Sequence, residues 1–529
     1  MRKYNIIFVW VFILLGFSLI QSCDVEAEVF SEITPDEFFQ NDLQIASAAS
    51  AAYTPLYGYW GLHELSDLPT DQSTVPVRSN NGWDDGGLWP RLIEHDFNQN
   101  DFVDGPWNLS SGGISACNRL IEIFTESVGP ESPVVYELRT LRAFYFYILL
   151  SNFGNIPIET SFAEANPSPS QVEPQVAFDF IEAELLASIN QLSEDKNNTY
   201  AKVNKWVGYT ILTQLYLNAE RITGLPHWEE ASDAANVVIN SGAYDLESGY
   251  FANFKTKNEG SRENIFVVPY ERNIAGGFGV KMSSLHQSAA GTFDFSPTPW
   301  GGFSIQEDFY NSFEDNDKRK GMFIVGQQYT VAAGPSYSDE LGFFYTNPSE
   351  ELKLTNCIED WDNYGTDPSL QAQLEEGCNI LITPDYQEVG GRYLYRNGAR
   401  YGKYEYQIGE AFDISTDFPI YRYAGVMLMR AEALWRLDNG NSEALMLVNL
   451  VRERADVDPL ITLLEDDIYW EAKKELAMEN HAREITIRFG HWEDNWFLRD
   501  GNKEEFRRIY PLPQSQLQAN SNLQQNPGY

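Results

Sequence analysis

Apolar residues recur at helical spacing through roughly the first 240 residues of the chain. Glu131 to Asn152 puts Leu138, Leu141, Tyr145, Ile148 and Leu149 on one face and stops at Phe153-Gly154-Asn155, the pattern of an amphipathic helix closed by a breaker. Pro35 to Tyr57 opens with Thr34 as N-cap and Pro35 at the first helical position, and Pro174 to Leu192 ends in the polar run Glu194 to Asn198. Asn204 to Glu220 and His227 to Asn240 form a pair, with Trp206, Tyr209, Leu212 and Tyr216 at helical intervals and Gly242 as the stop. Two helices joined by a short turn within about 35 residues make a tetratricopeptide-like unit. Tyr421 to Leu437, the turn Asp438-Asn439-Gly440 and Ser442 to Arg454 repeat it, and Glu465 to Arg488 reads as one further long helix.

Between residues 243 and 419 the pattern changes. Gly, Pro, Asn, Asp and aromatic residues are dense, and the apolar runs shrink to strand length, as in Ile265 to Val268 and Phe323 to Val325. A second irregular stretch runs from Gly58 to Asp104. The expected fold is mainly α, with tetratricopeptide-like helical hairpins forming a single large domain that carries a loop-rich, few-stranded insertion. Its helical parts span 23–242 and 420–529, with the loop-rich part at 243–419. Loops held on a rigid helical frame are where binding residues concentrate.

The first residues point to export. Arg2 and Lys3 precede the apolar run Ile6 to Ile20, which is too short to span a bilayer and right for a signal peptide covering residues 1–22. Ile20-Gln21-Ser22-Cys23 resembles a bacterial lipobox, which makes Cys23 the expected lipidated residue; the alternative is an ordinary cleavage site with an incidental cysteine. The acidic run Asp24 to Glu28 beside it resembles the export tag of surface lipoproteins. Of the other cysteines, Cys117 lies in the helix-like stretch Ile114 to Leu120 and is expected to be a buried free thiol. Cys357 and Cys378 flank a loop where a disulfide is expected.

Charge narrows the partners. Asp and Glu number 77 against 37 Lys and Arg, a formal charge of −40, which repels nucleic acid and other polyanions. The 13 Trp, 29 Tyr and 32 Phe exceed the needs of a core. Some rings are therefore expected on a surface, where they bind something amphipathic. Catalytic signatures are missing: there is no Gly-x-Ser-x-Gly and no His-Glu-x-x-His, and the six histidines are scattered. No cysteine or histidine spacing suggests zinc, and Asp315 to Arg319 lacks the glycine and terminal glutamate of an EF-hand calcium loop, so no cofactor is expected, the alternative being a structural calcium that no motif indicates.

Four stretches together resemble the SusD/RagB family of surface lipoproteins, over essentially the whole chain. They are Leu138 to Phe146 leading to Phe153-Gly154-Asn155-Ile156-Pro157; Val203 to Trp206 with Tyr216-Leu217 and Gly242 to Leu246; Tyr421 to Ala424 with Met427 to Leu434; and the tail Tyr510 to Pro513 through Gln525-Asn526-Pro527-Gly528-Tyr529. Asp317 and Arg319 match an Asp-x-Arg motif of that family. The chain departs from the pattern at Glu479-Asn480-His481-Ala482-Arg483, where a family member has Glu-Gly-x-Arg with a glycine that permits close packing. It departs again at Gly425, where an acidic residue is common. The resemblance implies a non-enzymatic receptor, lipid-anchored in the outer membrane and facing outward. Such a receptor captures an oligo- or polysaccharide and delivers it to a SusC-like TonB-dependent transporter; some relatives take peptides.

The run Asp71 to Trp89 resembles a segment of family members that handle neutral glucans and fructans, such as laminarin and levan. Its glycines permit a tight loop, Trp83 offers a flat face to sugar C–H groups, and Asp71 and Asn81 are candidate hydroxyl partners. Trp89, in Leu88-Trp89-Pro90, reads as packing. Trp300, framed by Pro297, Pro299, Gly301 and Gly302, is a second candidate platform, and Trp361 with Tyr364 in the Cys357–Cys378 loop a third. Tyr393 and Tyr395 read equally well as alternating strand residues. Trp206, Trp435, Trp492 and Trp496 belong to helical patterns and are expected in the core. The expected function is neutral-glycan binding at the cell surface, the alternatives being a peptide receptor and a surface glycosidase.

Overall fold

Prolines and asparagines start four of the main helices of this protein, as seen in a computed structural model that describes residues 39, 41–78, 82–355, 379–389, 391–500 and 504–529. The frame consists of α1 (Asp104–Ser127), α2 (Pro133–Phe153), α3 (Pro174–Ser188), α4 (Lys205–Leu217), α5 (Trp228–Ile239), α6 (Tyr423–Leu437), α7 (Ser442–Arg454), α8 (Glu465–Glu475) and α9 (Ala482–Arg488). Pro133 and Pro174 occupy first-turn positions, where a missing N–H costs nothing. Asn204 caps α4 by accepting from the Trp206 and Val207 N–H groups, and Asn441 caps α7 through Glu443 and Ala444. By its internal contacts the chain divides into Met1–Ile45 and Ala46–Tyr529, and all these helices belong to the second unit.

Helices near in sequence pack on one another: α1 on α2, α2 on α3, α4 on α5 and α6 on α7. Helix α5 also packs on α6, although 183 residues separate Ile239 from Tyr423 in the chain. The loop-rich region is therefore an excursion that leaves the helical stack and returns to the same place. Its two ends are tied by an antiparallel pair in which every residue is buried, Asn264–Val268 with Phe418–Arg422, in the register Phe418↔Val268 and Arg422↔Asn264.

Charged groups close that junction. Arg422, at the end of the second strand and wholly buried, donates to Glu263, Glu475 and Glu479. Arg454 pairs with Glu263 and Glu475, and Lys403 with Glu479. Arg319 pairs with Asp317, Glu471 and Glu475. Burial alone would raise the Glu479 carboxyl; Arg422 and Lys403 outweigh it and hold the group below its ordinary range. The Asp-x-Arg motif acts here: Asp317 caps the turn Lys318–Met322 and orients Arg319 into the network. Removing one partner from such a buried set costs about 3–5 kcal/mol, because the others keep their charge.

Three sequence expectations need correction. Glu465 to Arg488 is two helices, broken between Leu476 and His481, where Met478 and Asn480 have φ of 61° and 66°. The break turns Glu479 inward, and the Asn480 and Ala482 N–H groups donate to the buried Asp67. Asn480 stands in the left-handed region, which a glycine would adopt freely and which asparagine tolerates better than most other residues. The helix expected from Pro35 to Tyr57 has its start outside the described residues. Its described part is Asp42–Ala49, followed by 3₁₀ turns over Ser50–Ala52 and Thr54–Leu62, where Pro55 lacks a donor. Helix α1 is far longer than its helix-like centre, because Gly112 and Gly113 interrupt the pattern. A Cβ on Gly113 would lie 2.3 Å from the Tyr145 ring, so the glycine allows α1 and α2 to approach. Cys117, on the same helix, is a free thiol with no exposure, and burial pushes its pKa up.

Candidate functional site

One buried guanidinium organises the most aromatic part of the excursion. Strand β1 (Ser73–Thr74) pairs with β2 (Ser304–Ile305), and Gln306 donates its side-chain amide to the Thr70 and Ser73 carbonyls, at 2.7 and 3.0 Å. Four residues after β1, Arg78 is completely buried. Its Nη1 donates to the carbonyls of Leu394 (2.6 Å) and Asn397 (2.8 Å), and its Nη2 to Ser304 Oγ (3.1 Å) and the Gly302 carbonyl (3.4 Å). Three loops that are remote in sequence thus meet on one side chain. No carboxylate is among these acceptors, so burial lowers the Arg78 pKa to about 10, and the group stays charged at neutral pH.

The stapled loops carry the rings. Arg78 N–H donates to the Gly82 carbonyl at 2.7 Å, closing a turn that delivers Trp83 with φ 65°. Trp83 is half-buried and donates Nε1–H to the Trp300 carbonyl at 3.1 Å. Its ring lies against Gly302, where an added Cβ would come within 2.2 Å of it. Trp300 hangs from the Met282 carbonyl by its own N–H (2.7 Å) and is 45% exposed. Phe412, 43% exposed, sits 5.4 Å from the Trp300 ring, and Trp83 lies 6.4 Å from it on another side. Beneath them, Trp89 (5% exposed) and Phe303 (3%) form the packing layer, each within 5.7 Å of Trp83. Trp89 donates Nε1–H to Asp85 at 2.6 Å. The result is a shelf of half-exposed rings on a buried aromatic base, edged by the exposed Asp84 and Asp85.

The structure brings Trp83 and Trp300 together and places Trp89 as packing. Asp71 is tied down: its two oxygens take Lys473 Nζ at 2.5 Å and the Tyr469 hydroxyl at 2.9 Å, so it fastens the loop to α8. Asn81, Trp361, Tyr364, Cys357, Cys378 and Cys23, with the leader before it, lie outside the described residues. Tyr393 pairs in the short hairpin Glu388–Val389 with Arg392–Tyr393 and packs on Tyr386 and Phe497. Tyr395 borders the shelf, since Cβ atoms on Gly82 and Gly301 would meet its ring. Trp206 and Trp492 are buried, while Trp435 and Trp496 are half-buried.

Phe412 was not legible beforehand. Its loop, 407–412, is pinned by a fully buried ion pair, Lys281 to Glu410 at 3.0 Å, with Lys281 over the Phe295 ring at 4.3 Å. Burial raises the Glu410 carboxyl and lowers the Lys281 ammonium, and their mutual attraction opposes both shifts. The nearest signal in the sequence is Gly409-Glu410-Ala411-Phe412, an aromatic beside a glycine and an acid in a loop. Among the described residues no group of three or more His, Cys, Asp or Glu could hold a metal ion, and no helix is long and apolar enough to cross a membrane.

Comparison with known proteins bears on the fold that carries these rings. The SusD family model matches residues 254–489. SusD-like protein P2 of Formosa agariphila is 24% identical, the alignment covering 100% of both chains. The starch-binding protein SusD of Bacteroides thetaiotaomicron is 23% identical over 74% of this chain and 72% of its own. Among solved structures, surface glycan-binding protein A of Bacteroides thetaiotaomicron in complex with laminarihexaose superposes with a TM-score of 0.66 at 21% identity, over 92% of this chain and 99% of that one. With the helical frame, the Asp-x-Arg turn and the tail motif all in the expected order, the chain is similar to SusD/RagB proteins over its length, and its residues 254–489 match the SusD family model.

Proposed function

We propose that this protein is a cell-surface glycan-binding lipoprotein that takes a neutral glucan or fructan onto the Trp83–Trp300–Phe412 shelf without cleaving it. In this reading Cys23 carries the lipid anchor and a SusC-like TonB-dependent transporter receives the glycan. The observation that carries it is the shelf: three rings held half-exposed by hydrogen bonds and a buried ion pair, where a core-forming loop would bury them. Flat apolar faces suit the C–H faces of pyranose rings, and the acidic edge offers acceptors to hydroxyl groups. The charge of −40 favours uncharged over anionic glycans. The relatives named for starch and solved with laminarihexaose bind neutral glucans, which supports the same class here. Trp361 and Asn81 join the proposal as further contacts.

Affinity gel electrophoresis over laminarin, levan, starch and alginate tests it, with Trp83→Ala and Trp300→Ala alongside the native protein. Retention by a neutral polymer, lost in either variant, is expected. Unchanged retention in both variants refutes the site, and reducing ends that accumulate with time refute binding without cleavage.

A further inference from the structure

The loop that bears Phe412 begins in a second cleft. Tyr404 to Ile408 lines one side of a cavity of about 370 Å³, and the hairpin Pro335–Ser338 with Gly342–Tyr345 lines the other. Five aromatic side chains form part of its walls: Phe293, Tyr337, Phe343, Tyr404 and Tyr406. Phe343 packs on Phe293 at 5.1 Å, Phe293 on Tyr406 at 5.6 Å, and Tyr337 stands opposite Phe343 in the hairpin register. The hydroxyls of Tyr337 and Tyr406 both turn inward, to the carbonyls of Lys403 and Tyr401. These residues bring ring surface to a cleft that also carries the polar side chains of Ser336, Glu405 and Gln407, with Gln407 and Ile408 exposed at its mouth. Such a volume, lined by rings and polar groups together, is in the range of small-ligand sites (~300–1,000 Å³), and that mixture suits a sugar, which has both C–H faces and hydroxyls.

Cleft and shelf are joined by a rigid strip of backbone. Gly409 N–H donates to the Phe293 carbonyl at 2.8 Å at the cleft end, Glu410 is locked by Lys281, and Phe412 meets Trp300 at the shelf end. Ile408 and Phe412 are four residues apart, hence at most about 14 Å along the chain. One short oligosaccharide can reach from one to the other. Glu405 at the cleft accepts from the Thr256 N–H at 2.7 Å, and its carboxylate disfavours an anionic occupant.

We propose that the cleft between Tyr404–Ile408 and the 335–345 hairpin is a second subsite for the same neutral polysaccharide, so that an extended chain runs from the Trp300–Phe412 shelf across the 407–412 loop into it. The inference rests on the glycan-binding reading of the shelf. Two linked weak sites raise affinity for chains long enough to occupy both, through effective concentration.

Isothermal titration with laminari-, malto- and levan-derived fructo-oligosaccharides, from the trisaccharide upward, tests it on the native protein and on two variants. Ser336→Trp fills the cleft, and Ile408→Ser removes an exposed apolar contact at its mouth without touching the core. Native affinity is expected to rise about tenfold from the shortest bound oligomer to longer ones. Both variants are expected to lose that gain while binding the short oligomer as before. If Ser336→Trp fails to fold, as judged by its melting curve, Ile408→Ser decides alone. Native binding with no dependence on length, a gain retained in the variants, or an equal gain with carboxylated oligomers overturns the second subsite and leaves the shelf standing. No binding of any oligomer by the native protein overturns both.

Discussion

A single methyl group placed on Gly302 isolates the contribution of the Trp83 placement. Gly302 is not among the positive-φ residues, so alanine fits its backbone and the perturbation is steric alone. The added Cβ would sit 2.2, 2.3 and 2.4 Å from three carbons of the Trp83 ring. Carbon contacts settle at about 3.5–4.0 Å, so the ring must withdraw by more than about 1 Å. The Nε1–H bond to the Trp300 carbonyl, now 3.1 Å, does not survive that shift. Overpacking costs about 1–3 kcal/mol and the lost hydrogen bond about 1 kcal/mol, while the stiffer unfolded chain returns about 0.4–1 kcal/mol. The net expectation is a loss of about 1–3 kcal/mol in urea denaturation and at least a tenfold weaker glycan titration. Gly105→Ala is the control: it lies in the first turn of α1, with no atom within 4 Å of an added Cβ, and is expected to leave binding unchanged. The double variant Trp83→Ala/Gly302→Ala should bind no worse than Trp83→Ala alone, because both act through one ring. Native affinity in Gly302→Ala, or full additivity in the double variant, refutes the reasoning.

Arg78→Lys keeps the charge but replaces a planar fork with a point donor that cannot serve four acceptors on two other loops, so a loss of about 2–4 kcal/mol in urea denaturation is expected, with weaker glycan binding. The Asp417 carboxyl, raised by burial to about 6 despite the Tyr200 hydroxyl bond, takes up its proton in the folded state first. Its contribution to stability is therefore full below about pH 4 and is lost as pH rises through about 6, and Asp417→Asn should recover up to about 3 kcal/mol in denaturation at pH 7.5 and little at pH 4. Glu484 has the opposite sign. Burial would raise it, but Arg221 and the hydroxyls of Ser151 and Tyr147 hold it near 2, so its stabilisation is present above about pH 4.5 and fades as pH falls toward 2. Glu484→Gln should lower stability at pH 7 and flatten the acid limb of the pH profile.

Much of the frame was written in local chemistry. Proline at a helix start, asparagine at a cap and Asp438-Asn439-Gly440 between two apolar faces each act within one turn, and the helices they delimit match to within a few residues. The tail was legible for the same reason: Asn526 donates to the Phe153 and Tyr510 carbonyls, so the terminal motif closes on the end of α2. What was not legible depends on partners far away in the chain. The break after Leu476 follows from Glu479 turning in to Arg422 and Lys403, which no helical period reveals. Asp71 looks like any loop acid until Lys473 arrives beside it. In the site, Trp83 and Trp300 could be read because glycines and prolines frame them, whereas the exposure of Phe412 is set by an ion pair between residues 281 and 410.

An exposed aromatic shelf has a physical difficulty that the rest of the molecule resolves. Rings left half in water gain by collapsing onto each other or into the core, and a loop free to collapse must be reordered each time a ligand binds, which weakens binding. Every segment bearing a shelf ring is instead fixed from below by groups with no exposure: the loops of Trp83 and Trp300 and the neighbouring 394–397 segment by Arg78, and the loop of Phe412 by Lys281 and Glu410. The two devices differ in a useful way. Arg78 is answered by carbonyls and a hydroxyl, so the strut adds a net positive charge under a strongly acidic surface without a carboxylate to compete for it. The Lys281–Glu410 pair is self-neutralising and so can lie wholly buried beside an apolar ring. Above the Arg422 network that seats the excursion on the helices, these struts keep the rings apart at fixed angles, and the ordering cost of binding is met in folding.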